Sequence, residues 1–143
     1  MESKSEQEWL IVRSFRDLDP SFPKGRLVKS ESPDFKLRMS KGAFIGIEIT
    51  RIRMMTDEGF STGILSNSTG YDQVLATLEA KEKKIGVYRK QKPDSLWLII
   101  FADHSEQRAI EKLIKTLLQK KLTTQFNRVY FFNLDNHSIH TLK

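Results

Sequence analysis

The alternation of strand-like and helix-like segments along this chain predicts an α/β fold, a mixed sheet flanked by helices, in the order helix, three strands, helix, strand, helix, strand. Three observations carry that expectation. Residues 34–50 read as two short strands joined by a tight turn. Leu96 to Ala102, L-W-L-I-I-F-A, is continuously apolar, the pattern of a central strand covered on both faces. Glu106 to Lys121 carries Ala109, Ile110, Leu113, Ile114, Leu117 and Leu118 at helical spacing, a stripe that serves core packing. A length of 143 residues suits a single domain spanning 1–143.

The first helix is expected from Ser5 to Phe15, with Ser5 and Glu8 at capping-box spacing and Trp9, Leu10, Ile11 and Val12 on its apolar side. Asp17 to Gly25, punctuated by Pro20 and Pro23, is a loop, and Arg26 to Ser30 a short first strand. Pro33 keeps Ser32 out of the helical region and starts the next strand, which fixes where Asp34 points. Residues 34–39 alternate polar and apolar; Ser40, Lys41 and Gly42 turn the chain; Ala43 to Thr50 then place Ile45, Ile47 and Ile49 on one face. Phe44, Gly46, Glu48 and Thr50 take the other face. Glu48 is the anomaly, because a carboxylate among isoleucines is costly unless paired or bound to a cation. Asp34 and Glu48 stand at the near ends of neighbouring strands, where converging carboxylates make a hard-cation site. The plainer reading pairs Glu48 with Lys36 or Arg38 across the hairpin.

Arg51 to Gly70 shows no period, and connections of that length in compact domains are usually functional or mobile. A helix is expected from Tyr71 to Tyr88, along the apolar line Tyr71, Val74, Leu78, Ile85 and Tyr88. Lys81 falls in the gap of that line, where its stem either snorkels or carries an ammonium toward the sheet. From Lys81 to Lys92 the cations Lys81, Lys83, Lys84, Arg89, Lys90 and Lys92 face a single acid, Glu82. Asp103, His104 and Ser105 end the central strand, with His104 in a structural or exposed role, and Val129 to Leu134 forms the last strand. His137 and His140 lack a third ligand and are not read as a metal site.

The absence of cysteine excludes disulfides and thiolate metal sites. No apolar run approaches the roughly 20 residues that span a membrane, so no membrane partner is expected. The polar, acidic N-terminus does not read as a signal peptide, and a cytoplasmic location follows as an expectation. The net charge of +6 suits a polyanionic partner.

Pro33-Asp34, thirteen residues, then Glu48-Ile49-Thr50 resembles the P-D…(D/E)-x-K signature of the PD-(D/E)XK nuclease superfamily. The resemblance implies a restriction-endonuclease-like core, in the order α-β-β-β-α-β-α-β, over nearly the whole chain. It implies Mg²⁺ or Mn²⁺ held by Asp34 and Glu48, with the backbone carbonyl of Ile49 completing the metal shell. Thr50 departs from the pattern, since the family places a lysine there to assist the attacking water. Lys81 is the candidate replacement, a lysine migrated to another element; Lys36, on the strand face of Asp34, is its rival, and Lys84 a third. Glu31 reads either as a further acid near the metal or as an exposed turn residue, and Glu8 as a first-helix acid of the site or as a cap.

Arg51 and Arg53, with Lys83, Lys84, Lys90 and Lys92, either meet backbone phosphates or form a solvated face. No organic cofactor is implied. The expected function is metal-dependent hydrolysis of nucleic-acid phosphodiester bonds, with DNA favoured over RNA. The alternative is an inactive nuclease-like module that binds nucleic acid or takes part in assembly, and a third reading is a nuclease-like partner protein whose 51–70 loop makes an oligomer contact, such as a homodimer's.

Overall fold

The computed structural model describes residues 3–52, 66–103 and 106–143. Its elements are α1 (Lys4–Leu18), β1 (Arg26–Lys29), β2 (Phe35–Arg38), β3 (Phe44–Arg51), α2 (Ser66–Glu82), α3 (Ile85–Arg89), β4 (Ser95–Ala102), α4 (Gln107–Gln119), β5 (Arg128–Asn133) and β6 (Ser138–Thr141). The α/β expectation holds: the strands form one six-stranded mixed sheet in sequence order. β1, β2 and β3 run antiparallel, β3, β4 and β5 parallel, and β6 returns antiparallel to β5.

The two faces of the sheet bury different sets of residues, as the period of two demands. Ile45, Ile47 and Ile49 of β3, with Trp97, Ile99 and Phe101 of β4, pack under Ile11, Val12 and Phe15 of α1. Leu96, Leu98 and Ile100 turn the other way, against Val74 and Leu78 of α2, Ile85 and Tyr88 of α3, and Leu113 and Leu117 of α4. The unbroken apolar run of β4 is thereby explained, since helices cover it above and below. The face of β3 opposite its isoleucines, which carries Glu48, looks into the α2–α3–α4 layer.

Four local readings are corrected. The N-cap of α1 is Ser3, whose hydroxyl accepts the Glu6 N–H at 3.1 Å, so capping does not explain Glu8. Ser68, Thr69 and Gly70, which read as punctuation ahead of the helix, lie inside α2, which begins at Ser66. The single helix expected to reach Tyr88 is two helices. The Lys84 N–H reaches back three residues to the Lys81 carbonyl at 3.0 Å, which tightens the last turn of α2 and re-aims the chain into α3. Finally, β6 lies where no strand was expected; its four residues lack an alternating pattern long enough to read, and pairing with β5 supplies their order.

The turn between β2 and β3 is where it was expected, with Lys41 at φ 63° and Gly42 at φ 78°, left-handed positions that suit glycine and cost lysine. Among the described residues, no helix is long and apolar enough to cross a membrane.

Candidate functional site

The site is built by the end of the β2–β3 pairing. The last paired residues are Phe35 and Ile47, so β3 runs on beyond its neighbour. Along β3 the even-numbered residues turn their backbone toward the β4 side: Phe44 accepts the Asp94 N–H at 2.9 Å, and the Ile52 N–H reaches the Phe101 carbonyl at 2.9 Å. The odd-numbered residues therefore turn theirs toward β2. At Ile49 that neighbour has already ended, and the side chain of Asp34 takes its place, with Oδ2 accepting the Ile49 N–H at 2.9 Å. Strand geometry aims the Ile49 carbonyl toward the same side, next to Asp34.

Asp34 is fixed by its backbone as well. Its N–H donates to Oε1 of Glu48 at 3.2 Å, and its carbonyl accepts the Ser30 N–H at 2.8 Å and the Lys29 ammonium at 3.1 Å. The lead-in to Asp34 passes close over β3 because residue 46 is glycine. A Cβ there would stand 2.9 Å from Pro33 Cγ and 2.9 Å from Leu96 Cδ2.

Glu48 is 4% exposed, and three elements resolve the cost of burying its charge. The Asp34 amide holds Oε1, the Tyr88 hydroxyl of α3 donates to Oε2, and the Lys81 ammonium of α2 stands 3.7 Å from that same oxygen. Burial alone would push the Glu48 carboxyl up, but the hydrogen bonds from the Asp34 carboxyl and Tyr88, with the charge of Lys81, outweigh it and leave Glu48 below its ordinary value. Asp34 moves the other way, from 3.8 to about 7, through burial first and then its hydrogen bond to Glu48 and the charge of that neighbour. The two acids are thus split, and near neutrality they share one proton, held by Asp34. Burial, the bond to Glu48 and the negative charge of both acids raise the Tyr88 phenol far above its usual value, so it stays a neutral donor.

The expected site residues separate into those that meet and those that do not. Asp34, Glu48, the Ile49 backbone and Lys81 converge. Lys36 lies opposite Gly46 and leans to the far end of β3, its ammonium 5.1 Å from the Phe44 ring centroid, which corrects its reading as a donor to the acids. The cross-hairpin pairing of Glu48 also fails, since Arg38 is exposed at the far end of β2 and Lys36 is on Phe44. Arg51 is corrected too: its guanidinium makes a bidentate pair with Asp103 and lies over Phe101, so it is not held out toward phosphate. Arg53 and His104 lie outside the described residues.

Glu31 is exposed at the rim of a cleft of about 450 Å³ that also takes in Glu8, Lys29 and Asp34. Glu8 is buried and paired with Lys29 at 3.3 Å. Lys83, Lys84, Lys90 and Lys92 are all exposed, the first two between α2 and α3 and the last two just after α3. Two participants escaped the sequence reading. Tyr88 stood in an apolar line and read as core, although a buried tyrosine hydroxyl always needs a partner and so carried a signal. Lys29 gave none.

The group able to take a hard cation is therefore Asp34, Glu48 and the Ile49 carbonyl. Among the described residues no cluster of three or more acids, histidines or cysteines is placed to hold a metal. Two carboxylates and a carbonyl nonetheless suit Mg²⁺, which binds through one or two carboxylates and keeps waters or substrate phosphates for the rest. His140 contacts the Ser138 hydroxyl at 3.2 Å and has no metal-ligand partner among the described residues. No family model, curated protein or solved structure was found to match this chain.

Proposed function

We propose that this chain is a Mg²⁺- or Mn²⁺-dependent nuclease with a restriction-endonuclease-like core, hydrolysing phosphodiester bonds of nucleic acid, DNA before RNA. One observation carries the reading: two carboxylates from adjacent strands and a lysine from a helix converge at the point where β3 outruns β2. Asp34, Glu48 and the Ile49 carbonyl would hold the ion, which, when bound, polarises a phosphate oxygen and lowers the pKa of an attacking water. Asp34 would hold the ion as a carboxylate, with its proton released to solvent. Glu48 stays ionised, because Tyr88 and Lys81 favour its charged form. Lys81 restores the cation missing at Thr50, orienting the water or offsetting the charge that grows on the phosphate. The exposed lysines between α2 and α3 and just after α3, on the helices that carry Lys81 and Tyr88 or next to them, draw the backbone phosphates toward the site.

Thr50 supports a second reading, an inactive module that keeps the fold and binds nucleic acid. Incubation of the wild type with single- and double-stranded DNA and RNA, in Mg²⁺ or Mn²⁺, separates the two. The nuclease reading expects cleavage that chelation stops and that Asp34→Asn and Glu48→Gln each abolish. Binding without cleavage on every substrate leaves the module.

A further inference from the structure

The Glu48 carboxylate is gripped from two sides. Oε1 accepts the Asp34 N–H at 3.2 Å, while Oε2 accepts the Tyr88 hydroxyl and faces the Lys81 ammonium at 3.7 Å. We infer that Tyr88 is the positioning residue of this site: its hydroxyl fixes the rotation of the Glu48 carboxylate so that Oε1 is the oxygen presented to a divalent cation shared with Asp34. The inference rests on the proposed function and deepens it.

The partners of the two oxygens support this assignment. A carboxylate oxygen accepts at two sites. Tyr88 occupies one site of Oε2, and the Lys81 ammonium faces that same oxygen as an ion pair, whereas the Asp34 amide occupies one site of Oε1, the oxygen on the side of Asp34. The terminal torsion of a glutamate is broad and nearly twofold, so burial alone does not choose which oxygen faces Asp34. Lys81 is a weak director, because its separation from Oε2 is that of an ion pair and exceeds a hydrogen bond.

Tyr88 is a strong director. Its ring is 0% exposed within the helix-side core, it has a single proton to give, and Glu48 receives it. The short helix that carries it is held in place at both ends, by buried Ile85 and by the Gln91 side chain, which donates to the Ser32 carbonyl just ahead of Asp34. One short helix thus ties the carboxylate's orientation to the segment that delivers the other acid.

The test uses the full chain, Mn²⁺ titrated by calorimetry, thermal unfolding, and kcat and KM for nucleic-acid cleavage. Tyr88→Phe keeps the ring and removes the donor. It is expected to bind Mn²⁺ about 10–100-fold more weakly than wild type, the usual effect of losing a hydrogen bond to a ligating carboxylate. Its kcat should fall while KM for nucleic acid stays within about twofold. Para-aminophenylalanine introduced at position 88 keeps both ring and donor, and should restore Mn²⁺ affinity and kcat.

A purely structural hydroxyl would lower the unfolding midpoint of Tyr88→Phe and leave Mn²⁺ affinity unchanged, which overturns the inference. If Tyr88→Phe does not unfold cooperatively, the para-amino variant decides: wild-type affinity supports the role, and weak binding by the folded variant overturns it. Wild type that binds no Mn²⁺ refutes the metal-site reading beneath the inference. Wild type that binds, with Tyr88→Phe binding equally, refutes only the role of Tyr88.

Discussion

Asp34→Asn should remove a pH dependence of folding stability that the wild type carries in the absence of metal. The folded protein holds a proton on Asp34 up to about pH 7, against an ordinary value of 3.8. Between those two values the folded state binds more protons than the unfolded chain, so stability is fully present below about pH 4 and declines as pH rises toward 7. Glu48 is shifted the other way, and its contribution is present above its ordinary 4.5 and lost only as pH falls below it. The interval from pH 5 to pH 8 therefore reports Asp34 with little interference from Glu48.

A shift from 3.8 to about 7 corresponds to roughly 2–3 kcal/mol over that interval at full strength, and solvent screening at a half-buried carboxyl reduces the expectation to about 1–2 kcal/mol. Urea unfolding of both proteins at the two pH values, with chelator present, measures it. The difference between their pH slopes isolates Asp34 from the histidines, which both proteins share. Mg²⁺ added at pH 8 should recover stability in the wild type, since the cation takes the place of the lost proton and binds only the folded state. Equal slopes for wild type and Asp34→Asn would refute the shared-proton account of the site.

Lys81→Met, matched in length to the lysine stem, should keep the protein folded within about 1–2 kcal/mol, because the Asp34 amide and Tyr88 still hold Glu48, while metal-dependent cleavage is lost and nucleic-acid affinity largely kept; cleavage at wild-type rate would remove the migrated lysine. Neutralising Lys83, Lys90 and Lys92 together should flatten the plot of log K against log salt for duplex DNA by about 0.9 per lost phosphate contact, and an unchanged slope would leave these lysines as a solvated face. Gly46→Ala should cost about 1–3 kcal/mol in urea unfolding, since its Cβ meets Leu96, which can swing aside, and the rigid Pro33 ring, which cannot. It should also weaken Mg²⁺ binding by shifting Asp34, and a neutral result in both assays would show that the approach of Pro33 to β3 is not tight.

Faces and turns are local properties, and the sequence determined them. The period of two across 44–50 put Glu48 opposite the isoleucines, and the structure keeps it there, facing the helix layer. Asp34 and Glu48 belong to one hairpin whose short turn sets the register, so their meeting followed from a stretch of chain read end to end. Lys81 was visible because it broke a three-four spacing that α2 and α3 preserve across their junction.

Distances between elements far apart in sequence were decided by the tertiary structure alone. Periodicity states which face a residue takes, and it carries no information on which element stands opposite or at what height. Arg51 therefore read as open to phosphate until the parallel register of β3 and β4 set it beside Asp103. Lys36 shared a strand face with the acids, but its rotamer carries the ammonium to Phe44, a choice made by packing. Tyr88 looked like one more apolar residue, because a phenol in a hydrophobic stripe shows its partner only once the stripe is laid on the sheet. The whole of β6 was settled in the same way, by pairing with β5 that its four residues could not announce.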